Sequence, residues 1–198
     1  MGLPGYITHY FEADHGPFRN ICDLSEEEAG ELVRKERSAT TGFNRFAMGP
    51  DFLKWRREAD DLLMRAYAEK FGHPPEGRPY FALLGSFDKT LTMFREGRKI
   101  EIEVSGFSER ELTFMYPDHS HLVTFYGSSA PALFYQPPPD WDRQSFWGRL
   151  FTMTELQEEY SRLGIEKMIH AHKERDGWAG CYVEAHIWRR SLRAEHVG

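Results

Sequence analysis

Lys99-Ile100-Glu101-Ile102-Glu103-Val104 is the stretch that decides the fold. Ile100, Ile102 and Val104 alternate with Lys99, Glu101 and Glu103, a period of two that gives a strand one buried face and one wet face. The alternation returns in Leu112, Phe114 and Tyr116, after the turn-like segment from Gly106 to Glu109. Upstream, Tyr80 to Leu84 and Thr90 to Phe94 read as strands, the latter followed by the turn Arg95-Glu96-Gly97-Arg98. Leu122 to Tyr126 extends the set. Links this short predict an antiparallel meander, because parallel neighbours need long crossovers.

Working outward, Tyr6 to Glu12 is a first strand and Cys181 to Trp188 a last one. The last strand sets Cys181, Val183, Ala185 and Ile187 on one side and Tyr182, Glu184, His186 and Trp188 on the other. Between these ends lie three helices. Ser25 with Glu28 forms a capping box for a helix from Glu26 to Arg37, and Leu24 is placed to staple onto Ala29. A second helix starts near Asp51 and stops at Gly72, a C-terminal glycine. Its Phe52, Trp55, Ala59, Leu62 and Ala66 form a buried stripe, while Arg57, Asp61, Arg65 and Glu69 form a solvated face. A third helix begins at Thr154, with Gln157 completing a capping box, and ends at Gly164. Asp176-Gly177 is a turn, and the polar tail frays from Arg189.

The expected architecture is α+β: a mainly antiparallel sheet of about five or six strands, with two or three helices on one face. At 198 residues and roughly 150 residues per domain, residues 1–198 make a single domain. Such a chain buries roughly 70% of its unfolded surface without staples. With 40% hydrophobic and 28% charged residues, disorder and collagen are excluded.

The net charge of −6, with basic residues interleaved among acids, lacks the electrostatic footprint of a nucleic-acid binder. No apolar run approaches the roughly 20 residues of a bilayer span, and the N-terminus has no signal-peptide pattern. Two cysteines, Cys22 and Cys181, form no C-x-x-C pair; a disulfide between them stays open, and a reduced, cytoplasmic chain is the simpler reading. Phosphate loop, dinucleotide fingerprint, G-x-S-x-G elbow and local cysteine-nucleophile signatures are all missing.

Several short segments resemble an uncharacterised family of bacterial proteins. They are His9-Tyr10-Phe11-Glu12, Gly16-Pro17-Phe18 and the Ser25 helix, then Arg149-Leu150-Phe151-Thr152, Tyr182-Val183-Glu184 and Ile187-Trp188. The resemblance implies a bacterial source and a single α+β domain. It brings no activity and no catalytic residues.

Three features carry chemistry. The first is Asp118-His119-Ser120-His121, within a chain of nine histidines. In extended chain His119 and His121 share a face and chelate one ion, zinc or another divalent metal, with Asp118, His170, His172 or His186 as third ligand; His186 is the first choice. Surface or hydrogen-bonded histidines are the bland alternative. The second is the Tyr182, Glu184, His186 and Trp188 face, which either lines a ligand or is covered by a helix or loop. The third is the proline-rich loop from Phe134 to Trp147. Its Tyr135 and Trp141 either capture a partner or cap the core.

Two functions follow. The first is a non-catalytic binding module for a protein or small molecule, using Tyr182, Glu184, His186, Trp188, Tyr135 and Trp141 and needing no cofactor. The alternative is a metal-assisted hydrolase, with His119, His121 and a further histidine on the metal and Asp118, Glu184 or His186 as its catalytic groups.

Overall fold

The computed structural model describes residues 2–37, 46, 50–126, 144–174 and 180–192. Five strands form one antiparallel sheet: β1 (Tyr6–Glu12), β2 (Tyr80–Leu84), β3 (Gly97–Glu103), β4 (Leu112–Met115) and β5 (Glu184–Ile187), in the spatial order β3-β1-β2-β5-β4. The α+β reading and the strand number hold, but the meander does not. β2 pairs with β1 and β5 rather than with β3, the next strand in the chain, and the C-terminal β5 inserts between β2 and β4. Burial explains the order. All four residues of β5 are buried, so it needs a neighbour on each edge and a layer on each face. β3 keeps most of its charged residues exposed and sits at an edge, where charge discourages further pairing.

Five α-helices lie among the described residues: α1 (Glu26–Arg37), α2 (Pro50–Phe71), α3 (Ser120–Tyr126), α4 (Met153–Glu159) and α5 (Ile165–Lys173). They cover both faces of the sheet rather than one. Ile7, Ala82, Phe114, Ala185 and Ile187 pack with Leu156 of α4 and Ile165 of α5, joined by Phe146 and Trp147. On the opposite face Met115 and Trp188 pack with Leu63 and Tyr67 of α2 and Leu122 of α3. No helix among the described residues is long and apolar enough to cross a membrane.

Local signals place α1 and α2 where they were expected. Glu28 Oε2 accepts the Ser25 N–H at 3.0 Å and Ser25 Oγ accepts the Glu28 N–H at 3.2 Å, the reciprocal capping box. Gly72, at φ +76°, takes the left-handed turn that stops α2. In the stripe of α2, Trp55 and Ala59 are buried, and Leu63 replaces Leu62 as the fully buried leucine.

Other expectations need correction. Thr90 to Phe94 is not a strand: Asp88–Met93 is a 3-10 turn that buries no residue, so its alternation has no face to hide. Leu122 to Tyr126 lies in α3 rather than the sheet. Asp118 Oδ1 accepts the Ser120 N–H at 3.0 Å, and this Asx turn starts the helix despite β-prone residues. The helix near Thr154 is capped by Thr152, whose Oγ1 accepts the Glu155 N–H, and it ends at Glu159. Gly164, at φ +69°, begins a separate helix, α5. The tail is pinned to Leu192: Arg189 forks onto Glu111 at 2.7 Å, and Arg190 reaches Asp23 at 2.6 Å. Cys22 and Cys181 are both buried free thiols. The Asp176-Gly177 turn lies outside the described residues.

Candidate functional site

The face of β5 that carries Glu184 and His186 is buried. α2 and α3 close over it, and the polar side chains become one buried network. At its centre, Glu184 Oε1 accepts the backbone N–H of His119 at 3.0 Å and faces His119 Nδ1 at 2.6 Å and His186 Nε2 at 2.9 Å. Its other oxygen, Oε2, takes no hydrogen bond among the described residues.

Each histidine is held from behind. His119 Nε2 lies 3.3 Å from Asp60 Oδ1. His186 Nδ1 lies 3.2 Å from Thr113 Oγ1, which accepts the Trp188 indole N–H at 2.8 Å. The ionised Glu184 can only accept, so the imidazole proton of a neutral His186 sits on Nε2, and its bare Nδ1 accepts the Thr113 hydroxyl proton. Asp60 projects from α2 and is tied by Arg56 at 3.2 Å, Arg78 at 3.6 Å and the Asn20 amide at 2.9 Å. Phe81 of β2 is sandwiched between the Arg56 guanidinium, 4.2 Å above its ring, and the His119 ring, stacked at 4.3 Å.

Electrostatics follow from these contacts. Burial pushes the Glu184 carboxyl up, and the charges and hydrogen bonds of His119 and His186 outweigh it, leaving it well below the usual carboxylate range. Burial also raises Asp60, but Arg56, His119 and Asn20 bring it down. Asp118 is likewise raised by burial and brought down further by His121. For His119, burial favours the neutral form, and the Glu184 and Asp60 carboxylates turn the balance upward. For His186 burial prevails, and its pKa is lowered. Three buried anions are therefore kept ionised by imidazoles and arginines.

A cavity of about 330 Å³ opens onto this network. Phe46, Phe52, Trp55 and Phe81 wall it, while Glu184, Asp118, Tyr182 and Arg56 also line it. The Tyr182 hydroxyl donates to Asp118 Oδ2 at 3.0 Å.

Against expectation, His119 and His121 do not lie along one extended strand. The chain turns helical at Ser120, so the two rings serve different carboxylates: His119 meets Glu184 and Asp60, while His121 Nδ1 lies 3.3 Å from Asp118 Oδ1. His186 does come beside His119, with Glu184 and not His121 as the third member of the group. His170 and His172 ride on α5 beyond the opposite face of the sheet; His170 is exposed and pairs with Glu174 at 3.3 Å. Trp188 packs on Tyr67 of α2, with ring centroids 4.4 Å apart, so a helix does cover that face. Of the aromatic loop, Phe146 and Trp147 belong to the core; Phe134, Tyr135 and Trp141 lie outside the described residues.

Sequence reasoning passed over Asp60, Arg56 and Thr113. The signal was present in α2: Arg56, Asp60, Leu63 and Tyr67 recur at spacings of three and four beside the apolar stripe. A carboxylate on such a stripe needs a buried partner.

No family model matches the chain, and comparisons with curated proteins and with solved structures give no match.

Proposed function

We propose that the protein is a non-catalytic binding module for a small molecule, held in the cavity between β1, β2, β5 and the α1–α2 pair. One observation carries the reading: an aromatic-walled cavity of about 330 Å³ reaches a buried carboxylate, Glu184, one oxygen of which takes no hydrogen bond among the described residues. Ligand sites are concave, mostly apolar and fitted with a few placed polar groups, at volumes of roughly 300–1,000 Å³. The ligand that fits has a flat apolar body and a hydrogen-bond donor that meets Glu184 Oε2. Of the residues expected to bind it, Tyr182 and Glu184 line the cavity, while His186 contacts Glu184 from behind and Trp188 reaches it only through Thr113 and His186.

The test is calorimetric titration with 2-naphthol and with 2-methoxynaphthalene, which has the same body and no donor. A hydrogen bond to a charged acceptor contributes about 1.5–3 kcal/mol, so naphthol should bind at least about ten-fold tighter. Ile21→Trp, which fills the cavity wall, should abolish binding. Equal affinity for the two probes, or binding that survives Ile21→Trp, overturns the reading.

A further inference from the structure

We infer that His119 Nδ1, His186 Nε2 and a Glu184 oxygen form a site for a divalent transition-metal ion of the zinc class, with its open position toward the cavity. The inference goes beyond the small-molecule reading; the two share Glu184 but not their tests.

Convergence is the first support. The three donors lie within 4.8 Å of one another and all three residues are buried. In a tetrahedral site with bonds of roughly 2.0–2.2 Å, donors stand about 3.3–3.5 Å apart. The present nitrogen–oxygen separations of 2.6 and 2.9 Å would open by less than about 1 Å.

The second support lies behind the donors. Metal-bound histidines almost always give their other ring N–H to a carboxylate, carbonyl or water, which fixes the ring and its tautomer. Both histidines have an oxygen close behind them: the Thr113 hydroxyl is within hydrogen-bond distance of His186 Nδ1, and the Asp60 carboxylate lies 3.3 Å from His119 Nε2, a charge contact that needs only a small realignment to become a hydrogen bond. With a metal on Nε2, the His186 Nδ1–H donates to Thr113 Oγ1, which keeps a lone pair for it beside the Trp188 bond.

The third support is charge. Among the described residues Glu184 is buried yet meets no lysine or arginine; its only ion-pair partners are the two imidazoles. A buried carboxylate needs a positive partner, and a dication set among two nitrogens and one oxygen meets that need. Two nitrogen donors exclude calcium and magnesium, which select oxygen sets.

The experiment is a titration of the full chain with Co²⁺, a spectroscopic stand-in for zinc, followed by competition with Zn²⁺. The expected result is visible absorption of a four- or five-coordinate ion that saturates at one equivalent and is displaced by zinc. His119→Gln and His186→Gln, each checked for folding by circular dichroism, should abolish the spectrum, and His170→Gln should leave it unchanged. Thr113→Val should weaken affinity about 10–100-fold, the usual loss when an outer partner is removed. Because an altered network can fail to fold, the wild-type chain labelled with nitrogen-15 gives an independent reading. Zinc should move the His119 Nδ1 and His186 Nε2 resonances and leave His170 in place. Absence of the cobalt spectrum from the wild type, its survival in His119→Gln or His186→Gln, or zinc shifts confined to other histidines would each overturn the site. Naphthol binding, measured without added metal, stands or falls separately.

Discussion

His9 accepts the backbone N–H of Phe18 on Nε2 at 2.9 Å, and this one contact fixes the state of the imidazole. An N–H only donates, so Nε2 is bare and the proton sits on Nδ1, donating to the Phe81 carbonyl at 2.7 Å. The ring is stacked on Phe18, with centroids 4.9 Å apart, while Phe18 holds the uncommon φ of +56°. Burial lowers the His9 pKa from 6.5 to about 4, against the opposing Phe81 bond. Below pH 6.5 the unfolded chain binds a proton that the folded chain refuses. The His9 contribution to stability is therefore complete above about pH 6.5 and is lost progressively as the pH falls toward 4. By linkage the loss reaches about 3 kcal/mol. Denaturant melts of wild type and His9→Gln across this range check it. Glutamine can keep an acceptor for Phe18 but does not titrate, so its stability should fall less steeply, and an equal slope would refute the assignment.

Thr113 joins Trp188 to His186, and its replacement separates polar from steric effects. Thr113→Val preserves shape but removes the acceptor of the Trp188 N–H and the partner of His186 Nδ1. Leaving a buried donor or acceptor unpaired costs about 1–3 kcal/mol. Urea unfolding should therefore show a loss of roughly 2–4 kcal/mol with an unchanged m-value. A loss under about 0.5 kcal/mol, the size of an ordinary surface change, would mean that the relay is not formed.

Asp60 offers a sharper contrast. Asp60→Asn keeps the volume but leaves the half-buried Arg56 and the buried His119 against a neutral amide. Breaking a buried ion pair from one side typically costs 3–5 kcal/mol. We expect a loss of about that size, whereas Asp61→Asn, one residue away and exposed, should cost under about 1 kcal/mol. The ordering Asp60 over Asp61 is what chemical denaturation has to reproduce.

The uneven legibility of the sequence has physical causes. Tyr6 to Glu12, the Ser25 capping box and the Gly72 stop could be read because each is a local device with a fixed spacing. The alternation around Ile102 gave β3 correctly, but strand order is a tertiary property, and no local pattern says that β5 divides β2 from β4. α3 was read as a strand because Leu122, Val123 and Thr124 favour one, while the Asp118 side chain that starts the helix acts through a single hydrogen bond. In the site, Glu184 and His186 were visible as polar residues between aromatics on one face. Asp60 was not, because the charged run through Asp61 hides it in the sequence and only the packing of α2 onto Phe81 turns it inward. The shift of partner from His121 to Glu184 has the same origin, since two residues of separation means one face in a strand and opposed faces in a helix.

Trp55 gives the last expectation, at the border between core and cavity. It is 5% exposed and packs with Ala59 and Val33 while lining the cavity wall. Deleting a buried aromatic typically costs 3–5 kcal/mol, because the removed atoms lose their burial and the void persists. One side of this indole already faces open space, so fewer contacts are lost and Trp55→Ala should fall near the lower end, about 3 kcal/mol. The void merges with the cavity and has the shape of the missing side chain. Added indole should therefore raise the melting temperature of Trp55→Ala more than that of the wild type, since a ligand that binds only the folded state stabilises it. Equal shifts in the two proteins would show that the indole ring does not form the wall.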